Sequence, residues 1–392
     1  MMKVAFINTV AGFNATGRMC EDLANANGVE GKIFYGRKEY EGNVPSYKFN
    51  NLIGNSIHAI STFLLDNHAF VNKSQTLHLI ENLKEFKPDI IHLHNLHGYY
   101  LDAEVLFKYL KQLDIPVILT LHDCWTMTGH CAHFDSIGCE QWKTCCKSCP
   151  ISINYPPTFN KFNVEKNYNR KNKVFNSLDN LTIVCPSCWL ASIVKESFLK
   201  EHDVRVINNG IDLSLFSCQN KATNRRVELL AVASVWTINK GLYDLAEFSK
   251  LLDDRHHLTI VGITDKQQRL FPDTVTCLQR INNRDELVGL YNKTDYFLNF
   301  TYEDTFPTVN IESLACGTPV ITYNTGGSPE IIDNTSGIVI EKGNYKQVLT
   351  ILESRAHLSS FDCVNRAKKF DKTTMINNYL DLYNEKLHDC DM

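Results

Sequence analysis

A chain of 392 residues is too long for one ordinary domain and comfortable for two. Hydrophobic residues at 44% and charged residues at 21% exclude a disordered or fibrous chain. The 40 basic and 44 acidic side chains leave a formal charge of −4, which argues against nucleic acid as the main partner, since phosphate neutralisation needs a basic face.

The chain opens on MMKVAFINTVAGFNATG, where the apolar run breaks at Asn8 and a glycine-bearing loop follows. This reads as a first β-strand rather than a secretion signal. No stretch approaches the roughly 20 apolar residues needed to cross a bilayer, so the expected location is cytoplasmic. Short apolar runs then alternate with helical patterns, the signature of parallel α/β sheets. In the first half, strands are expected at 4–7, 33–35, 89–92, 117–121, 182–185 and 204–207. Helices are expected at about 19–26, 76–86, 103–113 and 187–199, the last capped by Ser187. The loop Gly12 to Arg18 follows the first strand, where glycine lets a backbone approach a phosphate. Gly17 is the expected contact, with Arg18 nearby, although the dinucleotide fingerprint itself is absent.

Cysteines cluster between Cys124 and Cys149. Cys146 and Cys149 are separated by two residues, a spacing that lets two thiolates share one ion. A structural zinc completed by Cys131 and Cys139 is expected there, with Cys145 and His133 as alternates. Disulfides and free thiols are the competing explanations, and a reducing cytosol disfavours the former. From Lys161 to Lys173 the basic residues Lys161, Lys166, Arg170, Lys171 and Lys173 face one acid, Glu165. Such a run is either a solvated helix face or a peripheral contact with an anionic membrane surface.

After residue 207 the composition turns to that of a linker, continuing to Arg226. A second alternating series follows, with strands at 228–233, 258–261, 296–298, 319–322 and 338–340 and helices at 242–252, 284–291, 309–315 and 346–353. The division expected is 1–215, 216–370 and a terminal helix in 371–392 that returns to the first domain. Two doubly wound domains leave a cleft at the carboxyl ends of their sheets, where such folds bind ligands.

The segment Tyr302 to Val320 carries the most chemistry. Thr308 is the expected cap of a helix, Gly317 ends it and Pro319 prevents its return. Asp304 precedes the helix and Glu312 lies one turn inside it. Two acceptors so placed suit a polyhydroxyl ligand, since a carboxylate takes bonds from two vicinal hydroxyls. The plain alternative is a Glu312 favoured only by the helix dipole.

An acidic residue, seven others, then Glu, followed by Ala315-Cys316-Gly317-Thr318-Pro319-Val320, resembles the donor signature of retaining glycosyltransferases of family 4, which have the GT-B fold. The resemblance covers nearly the whole chain. Ile90-Ile91-His92-Leu93-His94, Thr120-Leu121-His122-Asp123, Pro186-Ser187-Cys188-Trp189-Leu190-Ala191, Asn209-Gly210-Ile211-Asp212, Lys240-Gly241 and Thr325-Gly326-Gly327-Ser328-Pro329-Glu330 fall in the family's order.

The resemblance implies that Glu312 holds the ribose hydroxyls and Asp304 those of the donor sugar. Backbone N–H groups of Phe306, Thr308 and Val309 would face sugar and diphosphate, and His122 would lie near the transferred sugar. Lys240 would neutralise the departing diphosphate. The family's Arg five residues before that Lys is Val235 here, and Arg280 is the candidate to replace it. The first acid is Asp304 where Glu is usual, a shorter reach.

The expected fold is therefore α/β, GT-B, with two Rossmann-like domains. The expected function is transfer of a sugar from a UDP- or GDP-sugar to a glycan or lipid-linked glycan, with retention and without a catalytic metal. Bacterial O-antigen, capsule and exopolysaccharide assembly is the setting the pattern most resembles. The rivals are a GT-B sugar-nucleotide epimerase and a non-catalytic nucleotide-sugar or zinc-binding module.

Overall fold

A computed structural model describes residues 1–151, 155–160, 162–219, 226–281, 283–354 and 358–390. The chain forms two compact units, Met1–Ile207 with Ile376–Met392, and Asn208–Met375.

The first unit is a seven-stranded parallel sheet in the order β3-β2-β1-β4-β5-β6-β7. Its strands are β1 (Met2–Asn8), β2 (Val29–Tyr35), β3 (Ser46–Lys48), β4 (Ile90–Leu93), β5 (Val117–Thr120), β6 (Leu181–Cys185) and β7 (Asp203–Val206). The helices between them are α1 (Asn14–Ala24), α2 (Leu52–Leu65), α3 (Lys73–Phe86), α4 (Ala103–Leu110), α5 (Val164–Phe175) and α6 (Cys188–Glu196). Every residue of β4, β5 and β6 is buried, because helices cover both faces of a parallel sheet and its central strands become continuous apolar runs. The chain winds outward from β1 to β3 and then crosses back to β4, so the loops after β1 and β4 part at a topological switch point.

The second unit repeats the scheme with six parallel strands in the order β10-β9-β8-β11-β12-β13. These are β8 (Val227–Val232), β9 (His256–Val261), β10 (Thr276–Leu278), β11 (Tyr296–Asn299), β12 (Val320–Tyr323) and β13 (Gly337–Ile340). They alternate with α7 (Leu242–Ser249), α8 (Asp265–Gln268), α9 (Arg284–Lys293), α10 (Thr308–Ala315), α11 (Ser328–Ile331), α12 (Gln347–Ser354) and α13 (Ser360–Ala367). The switch point here lies between β8 and β11.

The last helix, α14 (Lys372–Cys390), belongs to the first unit from Ile376 onward. There Tyr383 Oη and His92 Nδ1 lie 2.7 Å apart, Tyr379 Oη meets Thr120 Oγ1 at 3.0 Å, and Lys386 pairs with Asp203 at 2.9 Å. Periodicity alone does not single out α2, β3, β10 or α13.

Candidate functional site

Lys240 stands at the end of a short 3-10 turn (Ile238–Lys240) in the loop after β8, and Asp304 stands in the loop after β11. The switch point brings these two loops together. Lys240 Nζ lies 2.5 Å from Asp304 Oδ2, with both side chains partly open to solvent. The loops are also pinned through their backbones, Tyr302 N donating to Asn239 O over 2.7 Å. Glu303 is buried and accepts from Asn239 Nδ2 at 2.6 Å, so it ties the loops and leaves the exposed acid to Asp304. That strut was not legible in sequence, where Glu303 and Asp304 differ only in register.

Asp304 is fixed from two further sides. Its Oδ1 accepts from Phe306 N at 3.1 Å, and its carbonyl accepts from Gly327 N at 3.1 Å. The Phe306 N–H is therefore spent on Asp304, a correction to the expectation that it faces a ligand. A second correction concerns the helix start. Pro307 occupies the N-cap with no side-chain cap, and Thr308 is the first helical residue. Proline fixes the backbone for entry into the helix and leaves the N–H groups of Thr308 and Val309 among those without an intrahelical acceptor. Glu312 faces Tyr291, whose hydroxyl donates to Oε2 at 3.1 Å. Burial, reinforced by the Glu312 carboxylate, holds that phenol well above its ordinary pKa, so it remains a donor. Arg280 is exposed in the loop after the edge strand β10, two strands from β8.

In the first unit His122 follows β5, and its Nε2 is 3.0 Å from His94 Nδ1 with the rings stacked at 5.3 Å. Burial lowers its pKa to about 4, so it is a neutral hydrogen-bonding group at pH 7. Its neighbour Asp123 accepts from Trp125 N at 2.9 Å and lies 2.7 Å from His97 Nε2. His97 escaped the sequence reading although the motif His94-Asn95-Leu96-His97 was at hand. Gly17 is a correction: α1 begins at Asn14, so Gly17 lies buried inside the helix rather than in the loop before it. A Cβ there would meet Gly12 N and Val10 at 3.2 Å, so the glycine serves packing of the loop onto the helix. Arg18 Nε bonds the carbonyl of Asn14 in the same helix.

Cys131, Cys146 and Cys149 are buried, Cys139 and Cys145 half-buried, and all are free thiols. Cys131 and Cys149 share a hydrogen bond that raises the first thiol and lowers the second. Among the described residues no group of three or more His, Cys, Asp or Glu side chains stands where it could hold a metal ion. Within this loop Phe134 stacks on Trp142 at 5.0 Å, and Trp142 Nε1 donates to Cys139 O.

In the basic run, Lys161 lies outside the described residues. Lys171 is buried rather than solvated. Its Nζ donates to Trp125 O at 2.7 Å and sits 3.5 Å from that ring's centre, and burial pushes its pKa down to about 7.

Among the described residues no helix is long and apolar enough to cross a membrane. Residues 36–215 match the family model described as glycosyltransferase family 4, and residues 226–354 match that of glycosyl transferases group 1. The protein of Escherichia coli (strain K12) named as the colanic acid biosynthesis glycosyl transferase WcaC is 25% identical over 281 residues, 67% of each chain. Among solved structures, sucrose-phosphate synthase from Thermosynechococcus elongatus superposes with a TM-score of 0.71 at 15% identity, covering 98% of this chain and 99% of that one. Anabaena Alr3699/HepE in complex with UDP gives 0.67 at 14% identity, covering 98% and 100%.

Proposed function

The chain belongs to the family 4 glycosyltransferases, and on that premise we propose that it moves a sugar from a nucleoside diphosphate sugar to a hydroxyl of a glycan or lipid-linked glycan. The setting is bacterial surface-polysaccharide synthesis, by likeness to the colanic acid transferase of Escherichia coli. UDP is the leading donor nucleotide, because a protein of the same fold is solved with it.

The observation that carries the donor site is the meeting of Lys240 and Asp304 at the second unit's switch point, beside the start of α10. Doubly wound sheets bind ligands at the carboxyl ends of their strands there, and a helix N-terminus favours an anion. Lys240 supplies a positive charge to the departing diphosphate, and the Thr308 and Val309 N–H groups add oriented dipoles. Asp304 accepts hydroxyls of the sugar, and Glu312 accepts the ribose hydroxyls.

The bond from the anomeric carbon to the phosphate oxygen breaks while the acceptor oxygen bonds to that carbon on the same face. The acceptor's proton passes to the leaving phosphate, which preserves the anomeric configuration. This chemistry needs no metal, since Lys240 and the helix N-terminus carry the charge. Free thiols throughout the described chain suit a reducing cytoplasm, and a lipid-linked acceptor would bring the enzyme beside the inner membrane.

A thermal-shift screen of UDP- and GDP-sugars tests the reading. One nucleotide series should raise Tm, since ligand at a hundredfold over Kd adds about 2.7 kcal/mol. Loss of that shift in Glu312→Ala would tie it to this site. No shift with any sugar nucleotide, and no transfer to a glycan acceptor, would overturn it.

A further inference from the structure

We propose that the outward face of α2, continued by Phe159 and Phe162, is a docking surface for an anionic lipid bilayer. The helix is built inside out. The residues it buries are Gly54, His58 and Thr62, small or polar and spaced four apart on one side. His58 is used structurally there, its Nε2 accepting from Ala69 N at 2.9 Å. The other side carries Ile53, Ile57, Ile60 and Leu64, at helical spacing and each more than half exposed. A helix of a globular domain turns its apolar stripe inward. A contiguous exposed one marks an interaction surface.

The ridge extends past the helix. Phe159 N donates to Phe63 O at 2.9 Å with the two rings 4.4 Å apart, and Asn163 Nδ2 donates to Leu65 O at 2.7 Å. These bonds fasten the entry to α5 onto the end of α2. Phe159 is exposed, and Phe162 is 94% exposed.

Charge selects the occupant. The sequence of α2, LIGNSIHAISTFLL, holds no acidic or basic residue apart from buried His58. On α5 the exposed Lys166 and Lys173, seven residues apart, share a face. The one acid of that helix is Glu165, and the whole chain carries −4, so the positive charge is local. An apolar ridge beside lysines matches an anionic bilayer: aliphatic and aromatic side chains enter the acyl boundary while ammonium groups reach the headgroups. A second copy of the chain is a poorer match, because the exposed lysines outnumber Glu165 and would face their own kind across it, and α2 has no charges to set a register.

For its purpose the surface rests on the lipid-linked acceptor reading, since it would hold the enzyme on the membrane that carries the substrate. The test does not depend on that reading. The full chain is sedimented with phosphatidylcholine vesicles with and without phosphatidylglycerol. Binding should tighten with the anionic lipid by about fivefold for each lysine engaged. The double variant Ile57→Asp, Ile60→Asp should bind vesicles at least about tenfold more weakly, since each buried aliphatic side chain contributes that much or more. Both residues face solvent, so Tm and donor binding should not change. The proposal is overturned if the native chain ignores anionic vesicles or if the variant binds as well. It is also overturned if light scattering shows a dimer that the variant converts to monomer. Transfer to a water-soluble acceptor, assayed on the same samples, reports separately on the glycosyltransferase reading.

Discussion

Glu312 already has a partner in Tyr291, so its carboxylate is oriented before any nucleotide arrives. A charge-assisted hydrogen bond contributes roughly 1.5–3 kcal/mol, and Glu312→Ala should weaken nucleotide binding about ten- to hundredfold by calorimetry. Tyr291→Phe separates orientation from contact: it keeps the carboxylate and should weaken binding less than Glu312→Ala does. Lys240 presents a different case, because Asp304 neutralises part of its charge in the unliganded chain. The diphosphate gains charge as the glycosidic bond breaks, so Lys240→Ala should lower kcat more than it raises donor Kd. Equal losses for nucleoside and nucleoside diphosphate binding would show that Lys240 does not meet the phosphates. The sequence marked both residues through spacing. It could not show that Lys240 and Asp304 are paired, because the two stand 64 positions apart in a contact that only the strand order creates.

At the scale of elements, loops rather than helices determine where the acids point. Gly326 adopts a φ of +53°, and a Cβ there would lie 1.8 Å from the Asp304 carbonyl oxygen. Neither an L side chain nor the loop after β11 can accommodate that, so Gly326→Ala must displace Asp304. The left-handed conformation alone costs about 1–2 kcal/mol outside glycine. Each kcal/mol lowers Tm by about 2–4 °C for a unit of this size, and donor affinity should fall with it. Wild-type Tm and affinity in this variant would show that the loop can move away without consequence. The motif Thr325-Gly326-Gly327 was legible as a motif, but its reason, close approach to Asp304, was not. Helix α10 was legible except at its start, where Pro307 takes the place expected of Thr308. Helix α2 was the least legible element. Periodicity does not single it out and cannot in any case tell which face a helix buries; here the apolar face is the one left out.

For the molecule as a whole, alternating apolar runs revealed two parallel sheets because central strands buried on both faces have no polar positions to interrupt them. What they could not reveal is the accumulation of buried imidazoles in the first unit. Burial lowers the pKa of His58 and His92 to about 3 and of His122 to about 4, and lowers His68 and His94 as well. All five belong to the unit formed by Met1–Ile207 and Ile376–Met392. In the unfolded chain each takes up a proton near pH 6.5. Between pH 6.5 and about 4 the unfolded state therefore binds protons that the folded state refuses, and stability falls as pH falls. The slope is about 1.4 kcal/mol per pH unit for each histidine that stays neutral. This window opens well above the pH at which ordinary carboxylates protonate, so a drop between pH 6.5 and 5 belongs to the histidines. Calorimetry should show Tm falling gently from pH 8 to 7, where buried Lys171, with its pKa near 7, holds less of a proton than a lysine of the unfolded chain, and falling more steeply below 6.5 as the histidines add their share. Limited proteolysis at pH 5 should then cut the first unit while sparing residues 226–354. A Tm unchanged down to pH 5 would mean that the unfolded chain gains no protons over the folded one, and that these imidazoles are charged in the native protein.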